Sequence, residues 1–239
     1  MPPDELRNHA VASHDQWIAA RSTLLAKEKE LTRARDELSR LRRALPWERV
    51  EKQYVFDGPD GNETLDQLFA GRSQLFVYHF MFGPEDKEGC PSCSFWADHY
   101  DAAGLHLPHR DVSFVVVSRA SLARIEPFKR RMGWRFKWVS SANTDFNYDF
   151  GVSFTPDQVK RGAAPYNYGT SDAGMPDREG ASVFYQDSSG AVFHTYSCYA
   201  RGIDVLNGTY HLLDLMPKGR NEDPDDPQSW VRYHDRYQD

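Results

Sequence analysis

Cysteine is the residue type in this chain with the clearest chemical potential, because two of the three cysteines lie close together in the segment Cys90-Pro91-Ser92-Cys93. Two cysteines separated by two residues can close a small disulfide ring, and each thiolate can act as a nucleophile. If Cys90 lies at the first turn of a helix, the free backbone amides and the helix dipole stabilise its thiolate. The spacing therefore predicts that Cys90 is the nucleophile and that Cys93 resolves a mixed disulfide.

The sequence around the dithiol predicts the elements that position it. Leu75 to Phe82 is a nearly continuous apolar run, which is typical of a strand buried on both faces. We expect a helix from about Cys93 to Ala103. Pro91 suits the first helical turn because its missing N–H costs nothing there, so Pro91 and Ser92 are assigned as supporting residues. The intervening loop then presents the dithiol at the carboxyl edge of the strand, where open α/β sheets collect reaction sites.

The later pattern predicts an α/β domain. Val112 to Ser118 is a second buried strand, and Ser121 to Met132 reads as the helix that follows it. This strand–helix–strand order implies parallel strands. Ser182 to Tyr185 and Val192 to Tyr196 flank a turn sequence and predict a hairpin. A last helix is expected from about Ile203 to Leu215.

Composition and pattern divide the chain into three parts. A long helix is expected from about Ser13 to Leu45, with Ser13 and Gln16 as a capping box and Pro46 as the stop. We expect a helical arm at residues 1–46, an α/β domain at 47–216 with an insertion at about 145–180, and a polar tail at 217–239. The tail is expected to be partly disordered or to wrap the surface.

The predicted N-terminal helix carries an apolar residue every seven positions, at Trp17, Leu24, Leu31, Leu38 and Leu45. One interpretation is a coiled coil or swapped arm that forms a homodimer through this helix. The other is a helix that lies along its own domain and buries the same stripe. The sequence leaves both open.

Composition excludes several classes of partner. The formal net charge is −6 with acids and bases interleaved, which argues against a nucleic-acid partner. The basic and aromatic residues of 129–138 are better explained by an amphipathic edge strand over 134–139. Membrane spans need about 18 or more consecutive apolar residues, and no stretch approaches that length. The first residues lack the charged-then-apolar pattern of a signal peptide, so we expect a cytoplasmic protein.

Other candidate residues have competing interpretations. Zinc would need Cys90 and Cys93 together with two of His99, His106 and His109 in tetrahedral convergence. The redox interpretation is favoured, and neither a metal nor a cofactor is expected. Cys198 is expected to be a buried, unreactive thiol unless it lies within bonding distance of the dithiol. His194 and Arg201 are assigned as supporting residues, since each can point towards the dithiol or satisfy local hydrogen bonds.

Several segments of the chain resemble the bacterial family of predicted dithiol-disulfide oxidoreductases known as domain of unknown function 899. These segments are Gln74 to Pro84, Gly89 to His99, Ser141 to Phe154, Val183 to Asp187, Val192 to Ser197 and Tyr199 to Gly202. The resemblance implies an α/β, thioredoxin-like fold with a mixed central sheet flanked by helices, alongside the long N-terminal helix. It also implies a thiol–disulfide activity, with a disulfide or peroxide substrate and a cellular thiol reductant as partners.

The chain departs from ordinary thioredoxins at two places. Gly89 stands where thioredoxins carry a tryptophan, and Gly180 to Ser182 occupies the place of their cis-proline. Peroxiredoxins also lack that proline, but they carry Thr or Ser at the third position before the reactive cysteine, where this chain has Lys87. A thiol-dependent peroxidase, with Arg178 or Arg201 supplying a positive field, is therefore the second hypothesis. A binding module with an inert or zinc-bound dithiol is the third.

Overall fold

The computed structural model describes residues 9–171 and 174–238. The chain divides into a first compact unit that ends at Pro46 and a second that begins at Trp47. In the first unit, helix α1 (His14–Arg43) begins at the predicted capping box, in which Ser13 and Gln16 bond each other's backbone N–H groups. At about 1.5 Å per residue, its 30 residues span about 45 Å. None of the α1 residues, all of which lie in the described range, is buried.

The second unit contains the remaining elements. The strands are β1 (Glu48–Arg49), β2 (Val55–Gly58), β3 (Gly61–Thr64), β4 (Gln74–His79), β5 (Val112–Ser118), β6 (Lys137–Ser140), β7 (Ala164–Tyr166), β8 (Gly169–Ser171), β9 (Gly180–Gln186) and β10 (Val192–Tyr199). The α-helices are α2 (Pro91–Ala103), α3 (Leu122–Arg131), α4 (Phe146–Asp149), α5 (Pro156–Arg161) and α6 (Gly208–Leu213). Short 3-10 helices span Gln67–Phe69, Leu107–Arg110 and Ala200–Leu206.

Within the described residues, eight of these strands form one mixed sheet in the order β1-β10-β9-β4-β5-β6-β2-β3. Strands β4, β5 and β6 are parallel, because α2 and α3 cross from one strand to the next. Strand β9 runs antiparallel to β4, and β10 runs antiparallel to β9. A parallel β-α-β unit joined to an antiparallel hairpin and a helix is the thioredoxin-like arrangement, and the predicted α/β fold class is confirmed.

Alternation along the central strands separates two apolar cores, one on each face of the sheet. Tyr78 and Phe80 point to the face covered by α2 and α3, where Trp138 is also buried. Leu75 and Val77 point to the opposite face, where they pack among residues of β2, β5 and α4. The dithiol helix therefore has a continuous apolar floor on one side of the sheet.

Two local predictions differ from the structure. The expected terminal helix is two pieces, because Asn207 is extended (φ −106°, ψ 103°) and its side chain caps Tyr210 N–H at the start of α6. Strand β6 is an interior strand, since Asp57 of β2 pairs with Ser140 on its outer side. The segment expected as an insertion contains α4, α5 and the β7–β8 hairpin.

No helix in the described part of the chain combines the length and apolar character that a membrane crossing requires. The buried Trp134 and Trp138 rings are 6% and 0% exposed. They are therefore unavailable for stacking on nucleic-acid bases.

Candidate dithiol site

Cys90 occupies the N-cap position of α2, and Pro91 is the first residue of that helix. The helix begins earlier than the sequence predicts, so both thiols belong to its first turn. The Cys90 N–H donates to the Met81 carbonyl at 3.0 Å, which ties the turn to the end of the β4 chain segment. The Ser94 N–H and hydroxyl both donate to the Cys90 carbonyl, at 3.0 and 2.9 Å. The first turn of α2 is thus held by one hydrogen bond to the segment after β4 and by two hydrogen bonds within the turn itself.

The two thiols differ in burial and in acidity. Cys90 is half-buried, Cys93 is 2% exposed, and both are free thiols. A hydrogen bond from the Cys93 thiol, helped by the N–H groups of Cys93 and Ser92, lowers the pKa of Cys90 to about 7, although burial opposes this. Burial raises the pKa of Cys93 well above its usual value, and its bond to Cys90 adds to the effect. The geometry separates an acidic outer thiol from a protonated inner one.

Two tyrosines, Tyr78 and Tyr100, lie in the core beside the inner thiol. The Met81 N–H points at Cys93 Sγ at 3.4 Å, and the Tyr78 hydroxyl donates to the Cys93 carbonyl at 3.5 Å. The Tyr100 ring meets the Tyr78 ring edge-on at 4.8 Å. Burial raises the pKa of the Tyr100 hydroxyl, and the charges of both Cys198 and Cys93 contribute. Cys198 therefore lies on the dithiol side of the sheet, as part of the same apolar core.

Glu179 is a site residue that sequence reasoning missed. It directly precedes Gly180, the first residue of β9, whose backbone pairs with His79 at the end of β4. Its carboxylate contributes to raising the pKa of both Cys90 and Cys93, as a negative charge near a thiolate must. The available signal was its position beside Gly180 to Ser182, which stand where thioredoxins place their substrate-facing proline.

A family model described as "Bacterial protein of unknown function (DUF899)" matches residues 6–237. The chain belongs to this DUF899 family. No curated protein sequence matches it. Solved structures similar to it include peroxidoxin BcpB from Mycobacterium tuberculosis, at 14% identity and a TM-score of 0.45, covering 68% of this chain and 94% of that one. A cysteine-to-serine mutant of Xanthomonas campestris peroxiredoxin Q has 15% identity and a TM-score of 0.44, covering 66% and 90%.

The supporting residues His194 and Arg201 are not brought to the dithiol of this DUF899 protein. His194 Nε2 lies 2.7 Å from Ser197 Oγ, and its ring packs against Phe184 on the opposite face of the sheet. There it lines a cleft of about 800 Å³ together with residues of the β7–β8 hairpin. Arg201 is 88% exposed and pairs with Asp204 at 3.3 Å. Their contacts are local. A β-bulge between His194 and Tyr196 reverses the alternation of β10, so His194 lies on the face opposite Cys198, and Arg201 lies beyond the strand in the 3-10 helix Ala200–Leu206.

The histidines weighed as zinc ligands have other contacts. His99 Nε2 lies 3.0 Å from Thr209 Oγ1 and accepts the Thr209 N–H at 3.3 Å, so this ring faces α6. His106 and His109 belong to the connection that carries the second 3-10 helix. Across the described ranges, no group of three or more His, Cys, Asp or Glu side chains is arranged to hold a metal ion.

Proposed function

We propose that this protein is a thiol–disulfide oxidoreductase in which Cys90 is the nucleophile and Cys93 the resolving thiol. The observation that carries the proposal is the placement of the dithiol, with Cys90 half-buried at the N-cap of α2 and Cys93 buried in the first turn; the pKa of Cys90 is lowered to about 7 there and that of Cys93 is well raised. At neutral pH about half of Cys90 is then thiolate, compared with a few per cent of an ordinary thiol. The Cys93 thiol stays protonated until the mixed disulfide has formed on Cys90.

In the first step the Cys90 thiolate attacks one sulfur of a substrate disulfide. The substrate S–S bond breaks, a Cys90–substrate disulfide forms, and the other substrate sulfur leaves as a thiolate. Because Cys90 no longer carries charge, the hydrogen bond from the Cys93 thiol loses its acceptor. The Cys93 proton then passes to a leaving substrate thiolate.

In the second step the Cys93 thiolate attacks Cys90 Sγ. The mixed disulfide breaks, the second substrate thiol is released, and Cys90–Cys93 forms the internal disulfide. The substrate has gained two electrons and the dithiol has lost two. A cellular thiol reductant restores the dithiol, so we place the protein in the reducing cytoplasm.

The peroxidase alternative has less support. Lys87, at the position where peroxiredoxins carry Thr or Ser, is exposed on the loop. The Glu179 carboxylate acts on both thiols, and its negative charge opposes the thiolate. A peroxidase site needs donors and positive charge around the reacting oxygen. An inert dithiol does not need the lowered pKa of Cys90, and a zinc-bound dithiol would need further ligands besides Cys90 and Cys93.

Mixed-disulfide trapping tests the proposal. Cys198→Ser supplies a background in which only the dithiol can react. Adding Cys93→Ser and treating the reduced protein with glutathione disulfide should leave a stable glutathione adduct on Cys90, visible by non-reducing mass spectrometry. Adding Cys90→Ser instead should give no adduct. Absence of the Cys90 adduct contradicts the proposal. If the reduced protein instead consumes hydrogen peroxide and forms sulfenic acid at Cys90, the peroxidase alternative replaces it.

A further inference from the structure

The C-terminal tail crosses the dithiol loop and contacts it directly. Tyr233 is 7% exposed, and its hydroxyl donates a 2.6 Å hydrogen bond to the Gly89 carbonyl. That carbonyl belongs to the same peptide unit as the Cys90 N–H, which donates to the Met81 carbonyl at 3.0 Å. The peptide that leads into the nucleophile is therefore held at both of its polar ends, once by Met81 in the segment after β4 and once by the tail.

Charged groups fasten this part of the tail. The carboxylate of Glu88, just before Gly89, accepts two hydrogen bonds from the Arg236 guanidinium, at 2.7 and 3.0 Å, and one from the Arg131 guanidinium, at 2.5 Å. Arg131 also makes a two-point contact with Asp235, at 2.8 and 2.9 Å. These are the paired, charge-assisted bonds that fix geometry best.

The Tyr233 ring lies between cations and an apolar surface. Arg131 and Arg236 lie 4.8 and 5.0 Å from the centre of the ring, within the range of cation–π attraction. Phe128 of α3 meets it edge-on at 5.6 Å, and Val231 is 4% exposed in the same core. The segment Trp230–Arg236, here called the C-terminal strap, is packed rather than laid loosely on the surface.

We infer that Tyr233 is a positioning residue for Cys90, and that the C-terminal strap sets the reactivity of the dithiol. By holding the Gly89–Cys90 peptide, Tyr233 fixes the direction in which the first turn of α2 aims its N–H groups. Those of Ser92 and Cys93 stabilise the Cys90 thiolate only while they point at it. The inference rests on the proposed function, because it concerns the same nucleophile.

The test is a pH profile of Cys90 alkylation in the full chain, read by peptide mass spectrometry. Tyr233→Phe keeps the ring and removes the donor. We expect alkylation at pH 6.5 to slow by about threefold or more, with little change at pH 9.5, because the pKa of Cys90 rises towards the ordinary thiol value. Tyr237→Phe is the matched control, since the Tyr237 hydroxyl accepts the Arg232 N–H within the tail. It should leave the profile unchanged.

Arg236→Gln supplies a second variant, which loosens the C-terminal strap while keeping the Tyr233 hydroxyl. A smaller shift in the same direction supports the inference. If Tyr233→Phe and Arg236→Gln both titrate like the wild type, the positioning role is overturned. This outcome is distinct from failure of the proposed function, in which the wild-type Cys90 itself titrates as an ordinary thiol.

A second inference comes from α1, independently of the dithiol. The stripe residues Trp17, Leu24, Leu31 and Leu38 are 46–54% exposed. In heptad terms they take the a positions, and Ala20, Lys27, Ala34 and Leu41 take the d positions. This seven-residue repeat, with Lys27 as a break, is typical of the seam of a two-stranded coiled coil, and its a-position residues are about half exposed.

The charged residues that flank the apolar stripe of α1 favour one kind of partner helix. Glu30 and Glu37 take g positions, and Arg35 and Arg42 take e positions. Within α1 the two glutamates make exposed ion pairs with Lys27 and Arg40, at 3.1 and 2.7 Å, and such exposed pairs contribute little and can exchange for pairs across a dimer. In a parallel, in-register pair each g residue meets the e residue five positions later in the other helix, which joins Glu30 to Arg35 and Glu37 to Arg42. In an antiparallel pair g positions face g positions, so the Glu30 and Glu37 side chains would meet glutamates instead of arginines. We propose that α1 pairs with α1 of a second copy of this chain as a parallel, in-register coiled coil.

Charge reversal tests this second proposal through the mass of the full-length protein in solution, measured over a range of concentrations. Glu37→Arg should raise the dimer dissociation constant about tenfold or more, and combining it with Arg42→Glu should restore pairing. Asp36→Arg makes the same charge change at an outward f position and is the control. Lys27→Leu should tighten the dimer, because a lysine at a seam position weakens it. A monomer at every concentration, or equal effects of Glu37→Arg and Asp36→Arg, overturns the proposal.

Discussion

The Cα of Gly89 faces the ring of Phe80 so closely that a Cβ atom built on it would lie 2.6 Å from Phe80 Cε1. The same Cβ would lie 2.8 Å from Phe128 Cε1 of α3. Two aromatic rings therefore occupy the space that a side chain at position 89 would need. This packing explains why glycine stands where thioredoxins carry a tryptophan.

Gly89→Ala is expected to destabilise the protein by about 1–3 kcal/mol, because a methyl group must displace ring atoms in a packed core. Urea unfolding followed by tryptophan fluorescence measures the change. Gly169→Ala is the matched control, since its Cβ meets no heavy atom within 4 Å. Equal unfolding midpoints for the two variants would show that the loop yields to the methyl group without cost.

The acidity of Cys90 should depend on the hydrogen-bond donor at position 93. Cys93→Ala removes the donor that contributes most to lowering the pKa of Cys90, whereas Cys93→Ser keeps an O–H donor. We expect the pKa of Cys90 to be highest in the alanine variant. In the serine variant, which keeps a donor, it should lie below the alanine value. The pH dependence of iodoacetamide alkylation measures both. If the alanine variant keeps a pKa of about 7, the thiol–thiol bond is not the cause.

Glu179→Gln should lower the pKa of both dithiol cysteines, because it removes a negative charge that opposes each thiolate. Alkylation of Cys90 below pH 7 should accordingly become faster. Glu48→Gln is the control, since Glu48 is 82% exposed and faces His194 rather than the thiols. A profile that moves equally in both variants would point to a general charge effect.

His79 should make the fold sensitive to acid. Its Nε2 bonds Ser182 Oγ at 2.8 Å, and burial lowers the pKa of the imidazole from 6.5 to about 3. As the pH falls below 6.5, the unfolded chain takes up the proton first, so stability that is complete above 6.5 is lost towards pH 3. Between pH 7.5 and 5.0 this costs about 2 kcal/mol.

His79→Gln removes that titration and is the comparison for the acid effect. The free energy of unfolding, measured in urea at the two pH values, should fall by about 2 kcal/mol more in the wild type than in the variant. The variant itself is expected to be less stable at pH 7.5, so only the difference between the two pH values is informative. Parallel losses in both proteins would show that His79 is not the sensitive group.

The predictable features of the fold are those set by local sequence. Helix α1 follows from its capping box and heptads, and strands β4 and β5 follow from continuous apolar runs. The break at Asn207 is not predicted by the sequence, because the apolar periodicity continues across it. Strand β6 is an interior strand because of a single backbone pairing with β2. No pattern within the β6 sequence indicates that pairing.

In the candidate site, the cysteine spacing and the following helix identify the dithiol without any structure. The residues around the dithiol are brought there by contacts between segments that lie far apart in the sequence. Glu179 comes near the thiols because β9 pairs with β4, and Tyr233 reaches Gly89 across 144 positions of sequence. The sequence leaves open whether His194, at the end of a predicted strand, points towards the dithiol, and a β-bulge between His194 and Tyr196 turns it to the other face of the sheet.

The oxidation product of the wild-type protein tests the central claim most directly. The fully reduced protein is treated with excess glutathione disulfide, the remaining thiols are alkylated, and the peptides are mapped by mass spectrometry. Two-step exchange predicts an internal Cys90–Cys93 disulfide, release of two glutathione molecules per chain from the disulfide consumed, and an alkylated Cys198. Recovery of Cys90 and Cys93 as alkylated thiols, or of a stable Cys90 adduct that Cys93 never displaces, would contradict it.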